Sequence, residues 1–253
     1  MDQPLTEEQA RAERLAREID HHRQIAGQAE FIWTWDSPSG MRRAARRAEL
    51  FVEHAALGPG RRALELGCGT GVFLEKVARS GALLCGIDLS IDLLDKARDR
   101  VAALANVRLT RGDAERMPFP DGGFDAVYGS SILHHLSLER AMREVFRVLR
   151  PGGEAVFAEP NILNPQVAVM FRLGLAKKYW GVSPDEMAFS RFRARRALED
   201  LGFRDVSVRP FDFLHPSVPP RWIGAVSRLG RALEAAPLLR EIAGSMLIRG
   251  RKP

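Results

Sequence analysis

The sequence has few cysteines and no long apolar run, and each shortage excludes a class of protein. The two cysteines, Cys68 and Cys85, have no metal-ligand spacing and are too few for a disulfide framework, which indicates a reducing setting. No run approaches the roughly 20 apolar residues that span a membrane. The acidic N-terminus also lacks the apolar region of a signal peptide. We therefore predict a soluble cytoplasmic protein without a metal site.

Lysine is scarce as well, because it supplies only five of the 38 basic residues. The net charge of +6 and the pI of about 9.9 would suit a nucleic-acid partner. However, a bias this strong toward arginine is more typical of coding composition, and no basic run is interleaved with aromatic residues. The pairs Arg42-Arg43 and Arg46-Arg47 fall at helical spacing, which predicts a solvent-exposed helix face. We expect no nucleic-acid partner.

Predicted strands and helices alternate through the middle of the chain. The strands cover 63–66, 82–87, 107–110, 124–129 and 154–158, with helices between them up to residues 77, 103 and 149. This alternation predicts a parallel sheet with helices on both faces and ligands at the carboxyl ends of the strands. Helices are also predicted over 6–29, 41–57, 167–179 and 190–201, with an aromatic turn at 31–40, late strands at 203–213 and 246–248, and a mostly helical insertion at 214–243.

The first strand runs into Gly67, Gly69 and Gly71, which predicts a tight turn before a helix N-terminus that faces a ligand. Glu65, at the strand end, is suited to accept hydrogen bonds from a cationic or hydroxylated ligand. The spacing is E-x-G-x-G-x-G and differs from the dinucleotide pattern G-x-G-x-x-G, in which Val72 would have to be glycine.

Polar residues follow each later strand at the same predicted edge. Asp88 stands 17 residues after Gly71, where a carboxylate suits ribose hydroxyls. Asp113 follows the third strand, and Ser130-Ser131 and then His134-His135 follow the fourth.

These features together resemble a known family. The E-x-G-x-G-x-G motif, Asp113-Ala114, FPDGGFDAV from Phe119, SSILHHL from Ser130 and the later EVFRVLRPGG resemble the small-molecule, methyltransferase type 11-like branch of the class I S-adenosylmethionine-dependent methyltransferases over residues 60–160. The resemblance implies a Rossmann-like α/β fold with a seven-stranded, mostly parallel sheet and an antiparallel final strand. It implies one structural domain made of a helical cap (1–57), a cofactor-binding core (58–160) and a C-terminal half (161–253) that contains the insertion.

The resemblance also implies a binding site for S-adenosyl-L-methionine. The glycines would approach its methionine and ribose, Glu65 and Ser130 would lie near the methionine part, and Asp88 would bind the ribose hydroxyls. Leu89 would pack on the adenine, while Asp113 and the main chain of Ala114 would bind its polar edge. The implied cofactor-binding residues are Glu65, Gly67, Cys68, Gly69, Gly71, Asp88, Leu89, Asp113, Ala114 and Ser130.

Methyl transfer is an in-line displacement that depends mainly on positioning, and a general base is needed only if the acceptor loses a proton. His134 and His135 are the candidate bases, although either could simply pack the loop, and two histidines at this point favour O-methylation. Candidate acceptor-binding residues, each with core or loop packing as the alternative, are Trp33, Trp35, Tyr179, Trp180 and His215. The pair His21-His22 is interpreted as exposed polar surface. Arg42 or Arg43 could reach the cofactor carboxylate, with a surface position as the alternative.

The apolar helices at 167–179 and 221–243 favour a hydrophobic acceptor, such as a natural product, a quinone-like ring or a lipid-linked molecule. Arginines beside the apolar residues of 221–243 also permit peripheral membrane contact. A dehydrogenase is excluded because neither Tyr128 nor Tyr179 has a lysine four residues later. A tRNA, rRNA or protein methyltransferase and a non-catalytic cofactor-binding protein remain alternatives, although no Asn/Asp-Pro-Pro-aromatic motif follows the fourth strand. The oligomeric state is left open.

Overall fold

The computed structural model describes residues 6–172 and 188–253, which contain a seven-stranded sheet in the order β3-β2-β1-β4-β5-β7-β6. The strands are β1 (Arg62–Leu66), β2 (Leu83–Asp88), β3 (Val107–Arg111), β4 (Phe124–Ser130), β5 (Leu149–Pro160), β6 (Arg204–Phe211) and β7 (Ser245–Arg251). Strand β7 runs antiparallel to both of its neighbours, and the pairs from β3 to β5 are parallel. The predicted mostly parallel sheet with an antiparallel final strand is confirmed. The strand order reverses direction between β1 and β4, which is where open α/β sheets bind ligands.

Helices cover both faces of the sheet and its N-terminal approach. They are α1 (Glu7–Ile25), α2 (Ala29–Ile32), α3 (Pro38–His54), α4 (Val72–Val77), α5 (Ile91–Val101), α6 (Leu138–Val148), α7 (Pro165–Arg172), α8 (Arg191–Asp200) and α9 (Pro220–Ala235), with short 3-10 helices at Ala26–Gln28, Ala78–Ser80, Leu133–His135 and Leu239–Ile242. Serines cap α5 and α8, since Ser90 accepts from the Leu93 N–H and Ser190 from the Arg193 N–H, both at 3.3 Å. The predicted domain boundaries stay a prediction.

Helix α3 begins earlier than the sequence suggested, at Pro38 rather than Met41. The Ser37 hydroxyl accepts a hydrogen bond from the Gly40 N–H at 3.0 Å, and a proline in the first turn is already fixed near helical φ. The predicted aromatic turn therefore shrinks to the residues just before Ser37. A side chain at Gly40 would lie 1.6 Å from the Thr34 carbonyl oxygen, so the turn and the helix touch only because position 40 has no Cβ.

Strand β5 also begins earlier than predicted, at Leu149 instead of residue 154. The segment Pro151-Gly-Gly153 falls between the predicted helix, which ends at residue 149, and the predicted strand, but it lies inside β5. Pairing between β4 and β5 shifts register between Phe124 and Ala126, and Gly152 has φ 75°. A glycine with positive φ in a strand that changes register is typical of a bulge, which a sequence pattern of turn residues does not distinguish from a loop.

The core lies on both faces of the sheet. One face packs Leu64, Leu66 and Phe157 against the buried side of α6, where the predicted inward residues Met142 and Val145 are fully buried. The other face packs residues such as Phe51 of α3 and Leu74 of α4 against the sheet. These two layers hold the carboxyl ends of the strands in a fixed arrangement.

The insertion is helical, as predicted, and some of its apolar side chains are exposed to solvent. In α9, Trp222 is 53% exposed and Leu229 is 60% exposed, whereas Gly230 and Glu234 are buried. The buried side of the helix meets α3 through a bidentate ion pair between Glu234 and Arg46, at 2.6 and 2.7 Å. Within 6–172 and 188–253, no helix has the length and apolar character needed to cross a bilayer.

Candidate cofactor and acceptor site

A cavity of about 250 Å³ opens at the carboxyl ends of β1, β2 and β4, beneath α1 and α7. A smaller cavity of about 50 Å³ adjoins it beside β3, and the two share Gly67, Asp88 and Ile132 among their walls. The polar groups of the motif strands face the larger space from below. Its other walls include apolar side chains such as Ile25, Ile32, Met170 and Phe171.

The structure brings most of the predicted cofactor residues to these two cavities. The larger one is lined by Gly67, Cys68, Gly69, Asp88 and Ser130, and the smaller one by Leu89, Asp113 and Ala114 together with Gly67 and Asp88. An elongated ligand that spans both would place one end at the β4 terminus and the other at the β3 terminus. S-adenosylmethionine has this shape, with a methionine part and an adenine joined by a ribose.

Gly67 and Gly69 line the larger cavity, whereas Gly71 does not. Gly67 and Gly69 have φ of 64° and 51°, in the left-handed region that favours glycine. Gly71 caps α4 with φ 80°, and a Cβ there would lie 3.2 Å from Ala97 of α5. Gly71 lines neither cavity, so it serves the close packing of α4 on α5.

Glu65 lines neither cavity either. Its side chain is buried within the sheet, where burial raises the pKa of its carboxyl well above the ordinary value and the neighbouring Tyr128 hydroxyl only partly opposes the rise. The implied contact of Glu65 with the methionine part therefore stays a prediction, without support from the cavity geometry.

Asp88 is fixed at the junction of the two cavities. Its carboxylate accepts hydrogen bonds from the Gly69 N–H at 2.8 Å and the Ser90 N–H at 2.9 Å. Burial raises the pKa of Asp88, a rise that nearby His22 and the two backbone N–H groups partly oppose. Each carboxylate oxygen has two lone pairs, so both can still accept from a ligand hydroxyl. This geometry suits a ribose with two neighbouring hydroxyls.

Helix α1 lies over the smaller cavity and docks through charged groups. Arg11 forms an ion pair with Asp113, and Arg14 binds Glu115 at 2.5 Å and the His135 carbonyl oxygen at 2.9 Å. The carboxylate predicted to bind adenine is thus already paired with an arginine of α1. No local sequence pattern predicts these contacts, because the paired residues are more than 100 positions apart in the chain.

The interpretation of His21 and His22 as exposed surface is wrong. Both line the larger cavity, and His22 Nε2 lies 3.2 Å from Glu18. Glu18 also lies 2.8 Å from His135 Nδ1. Burial alone would raise the pKa of Glu18, but hydrogen bonds to His135 and His22 lower it well below its ordinary value. These three side chains attach the end of α1 to the loop after β4.

His134 is held by the buried carboxylate of Glu159, a residue that is not among the predicted site residues. Glu159 is fully buried, and its Oε1 accepts from the N–H groups of Ile132 and Leu133, both at 2.9 Å. Its Oε2 lies 2.8 Å from His134 Nδ1. A carboxylate only accepts hydrogen bonds, so Nδ1 carries the hydrogen and Nε2 of the neutral ring is the basic nitrogen. His134 lines the larger cavity, as does His135.

The prediction of an exposed arginine face on α3 is wrong for Arg47. This side chain is 2% exposed and donates to the hydroxyls of Ser130 at 2.7 Å, Ser131 at 3.2 Å and Ser245 at 2.8 Å. Arg43 pairs with Asp212 at 2.8 Å, so it is engaged with the segment after β6. Arg42 is exposed, as the surface alternative predicted.

The predicted acceptor-binding residues divide into three groups. Trp33 and Trp35 line the larger cavity, and Trp35 also packs edge-on against Phe73 with ring centroids 5.4 Å apart. His215 is exposed, lines none of the cavities described above, and its Nε2 lies 2.9 Å from the Gln166 amide nitrogen. Tyr179 and Trp180 lie outside the described residues, as does most of the predicted helix at 167–179.

Known proteins share both the motif region and the fold. Residues 64–157 match a family described as "Methyltransferase domain". A demethylmenaquinone methyltransferase of Tropheryma whipplei (strain Twist) is 40% identical over 119 residues, which cover 46% of this chain and 48% of that protein. The enzyme of the same name from Staphylococcus aureus (strain JH9) is 30% identical over 172 residues, or 60% of this chain and 71% of that protein. The chain thus spans about half the length of the Tropheryma relative.

A solved structure extends the likeness over most of the fold. It is a S-adenosylmethionine-dependent methyltransferase of Thermotoga maritima, described as a possible histamine N-methyltransferase. The two structures match with a TM-score of 0.63 and 20% identity, over 92% of this chain and 100% of the other. At this identity the match shows the shared fold. With the motif residues gathered at one sheet edge and a relative aligned over most of its length, the chain belongs to the class I S-adenosylmethionine-dependent methyltransferase family.

Proposed function

We propose that this protein transfers a methyl group from S-adenosylmethionine to a small hydrophobic acceptor with a quinone-like ring. The observation that carries the proposal is a cavity in which the motif residues form one wall and apolar side chains, together with histidines, form the others. Asp88 and Gly69 stand on the cofactor side, and Ile32 and Phe171 are among the apolar walls. The names of the relatives from Tropheryma and Staphylococcus support the quinone-like class.

The residues present fit the cofactor. Asp88 would bind the ribose hydroxyls, and the bare backbone at Gly67 and Gly69 would let the sulfur approach the strand ends. Leu89 and Ala114 would hold the adenine in the smaller cavity, beside Asp113. For Asp113 to accept from the adenine amino group it must share its carboxylate with Arg11, so α1 would adjust when the cofactor binds.

When bound, S-adenosylmethionine supplies an electrophilic methyl group, which passes to the acceptor as the carbon–sulfur bond breaks. The protein's part is to align the acceptor and to remove its proton. His134 Nε2 would accept that proton, while Glu159 holds the ring and stabilises the imidazolium that forms. Trp33 and Trp35 would line the acceptor's path. O-methylation stays a prediction, which analysis of the methylated product distinguishes from methylation of a ring carbon.

Calorimetric titration with S-adenosylmethionine and its demethylated product tests the cofactor half of the proposal. We expect micromolar binding that Asp88→Ala abolishes and no binding of NADH. Transfer of a labelled methyl group is then measured to demethylmenaquinol, to total tRNA and to a protein extract. Transfer to the quinol alone supports the proposal. Cofactor binding with transfer only to tRNA or protein overturns the acceptor class, and absence of cofactor binding overturns the activity itself.

A hydrophobic or lipid-linked acceptor would reach the protein from a membrane, so we also propose peripheral contact through α9. Trp222 and Leu229 are exposed on one side of this helix, with the exposed Arg221 and Arg228 beside them. Apolar side chains flanked by cations suit an anionic lipid surface. The fraction of protein that sediments with phosphatidylglycerol vesicles should fall for the double variant Trp222→Ser/Leu229→Ser. It should not fall for Leu163→Ser, which changes an exposed apolar residue outside α9. Equal binding of the parent and both variants would refute this contact.

A further inference from the structure

The buried guanidinium of Arg47 lies behind Ser130 and Ser131, which line the larger cavity, and its hydrogen bonds go to three neutral hydroxyls rather than to carboxylates. The carboxylate that pairs with it, Asp212, lies 3.9 Å away and is hydrogen-bonded to Arg43 at 2.8 Å. Within the described part of the chain, Arg47 Nε has no hydrogen-bond partner. The guanidinium also lies over the Trp35 ring, 5.1 Å from its centroid. Buried charges are normally matched by a directly bonded opposite charge, and within the described residues Arg47 has no carboxylate within hydrogen-bond distance.

Arg47 remains a cation in this setting. Burial lowers its pKa to about 10, with Arg43 acting in the same direction and Asp212 and Glu159 opposing. A pKa of this size leaves the guanidinium charged at neutral pH, and its positive potential acts on the cavity wall in front of it.

The hydrogen bonds from Arg47 leave the hydroxyl groups of Ser130 and Ser131 able to donate to a ligand. A guanidinium only donates, so the Ser130 and Ser131 oxygens accept from Arg47 and their own hydroxyl hydrogens are available to donate. Both serines line the larger cavity. Ser245 accepts from the same guanidinium but does not line that cavity, so only two of the three hydroxyls face a ligand.

The backbone at Ser131 is strained in a way that fits this arrangement. Its φ is 56°, which places a non-glycine residue in the left-handed region, and its N–H donates to the Ala158 carbonyl at 2.8 Å. Strain at a cavity-lining residue is typical of functional sites, where the surrounding structure holds a side chain in place. Here it brings the Ser131 hydroxyl within reach of the guanidinium that also holds Ser130.

We propose that Ser130 and Ser131, with Arg47 behind them, form a binding site for a negatively charged oxygen of the bound reactants. Two hydroxyl donors in front of a buried cation are suited to a carboxylate or to an ionised ring hydroxyl. The first would come from the methionine part of the cofactor and the second from a quinone-like acceptor. The inference deepens the proposed function and rests on it.

Two pairs of probes distinguish the two sources. S-adenosylhomocysteine carries the carboxylate, and 5′-methylthioadenosine lacks it; both are measured by calorimetry. 2-Hydroxy-1,4-naphthoquinone, which is ionised at neutral pH, and uncharged 1,4-naphthoquinone are measured by quenching of tryptophan fluorescence. The variants are Ser130→Ala, Ser131→Ala and the double variant. Ser245→Ala is the matched control, because it removes an Arg47 contact of similar length outside the cavity.

The double variant should weaken one charged probe by about 10-fold or more while changing its uncharged counterpart less than about twofold, since a charge-assisted hydrogen bond distinguishes the two. Loss of S-adenosylhomocysteine assigns the site to the cofactor, and loss of the hydroxynaphthoquinone assigns it to the acceptor. The inference is overturned if neither charged probe weakens, or if Ser245→Ala causes the same loss. Binding of 5′-methylthioadenosine by every variant confirms folding and shows that the cofactor site of the proposed function survives independently.

Discussion

Replacing Glu159 by glutamine tests whether His134 acts as a base, because the change is nearly isosteric and reverses one hydrogen bond. The glutamine carbonyl can still accept from the Ile132 and Leu133 N–H groups, as Oε1 does now. Its amide nitrogen would take the place of Oε2, 2.8 Å from His134 Nδ1. An amide nitrogen only donates, so the neutral ring must move its hydrogen to Nε2. The nitrogen proposed to accept the proton would then already carry one.

The expected effect is large on the rate and small on stability. A positioned general base contributes about 10²–10⁴-fold, so kcat should fall by that factor, or about 3–5 kcal/mol in activation free energy. Glu159→Gln keeps both backbone donors satisfied, whereas Glu159→Ala would leave three donors buried at about 1–3 kcal/mol each. That total is comparable with the whole stability of a domain, about 5–15 kcal/mol, so alanine is unsuitable for this test.

The assay combines single-turnover methyl transfer with nitrogen NMR of the imidazole. Glu159→Gln should show the changed tautomer of His134, a kcat that has lost its dependence on a basic group, and an affinity for S-adenosylhomocysteine within about twofold of the parent. His135→Gln is the comparison variant, because it leaves the Glu159 contact intact. A Glu159→Gln enzyme with the changed tautomer and more than half of the parent kcat would refute a base role for His134.

Three further predictions concern the scaffold and the cofactor pocket. Gly40→Ala should lower the free energy of unfolding by about 2–3 kcal/mol, measured by urea denaturation, because its Cβ would meet the Thr34 carbonyl at 1.6 Å. Asp88→Asn should lower the affinity for S-adenosylhomocysteine by about 10-fold or more in calorimetry, since one amide oxygen cannot replace both carboxylate oxygens as acceptors of the Gly69 and Ser90 N–H groups. In the parent protein this affinity should decline as the pH falls, and the decline should begin above the ordinary aspartate range because the pKa of Asp88 is raised. Glu18→Gln should destabilise the protein at pH 7 but not in acid, as measured by thermal unfolding at a series of pH values. Because the pKa of Glu18 is lowered in the folded protein, its carboxylate contributes stability above the ordinary pKa of 4.5, and this contribution is lost as the pH falls below that value.

Matched controls exist for each of these changes. Gly224→Ala in α9 places a Cβ in open space and should be neutral or stabilising. Asp99→Asn, on the exposed side of α5, should leave cofactor affinity unchanged. Glu13→Gln removes an exposed ion pair of α1 and should show no acid-dependent difference. If a control variant shows the same change as its test variant, the physical reason given for the test variant is wrong.

Local sequence patterns predict the strands, the helices and the polar residues at the strand ends. Asp88 and Asp113 were identified because each ends an apolar strand, and the parallel topology then brings strand ends together. Arg47 could not be identified in this way, since its partner Ser245 is 198 residues away and a buried arginine follows the same helical spacing as an exposed one. The bulge at Pro151-Gly-Gly153 was missed because its residue types also favour a loop. Glu159 follows the apolar part of β5 just as Asp88 follows that of β2, so the same pattern predicts both carboxylates.

The way α1 is attached has a kinetic consequence. Helix α1 forms a roof over the smaller cavity, where the adenine is proposed to bind. It is attached by charged side chains such as Arg11, Arg14 and Glu18 and buries little of its apolar surface. Opening such a roof exchanges ion pairs for hydrated ions, so mobile ions in solution compete with it directly. We expect release of the demethylated cofactor to accelerate with ionic strength. Turnover at saturating substrate would then rise with added salt wherever that release is the slow step.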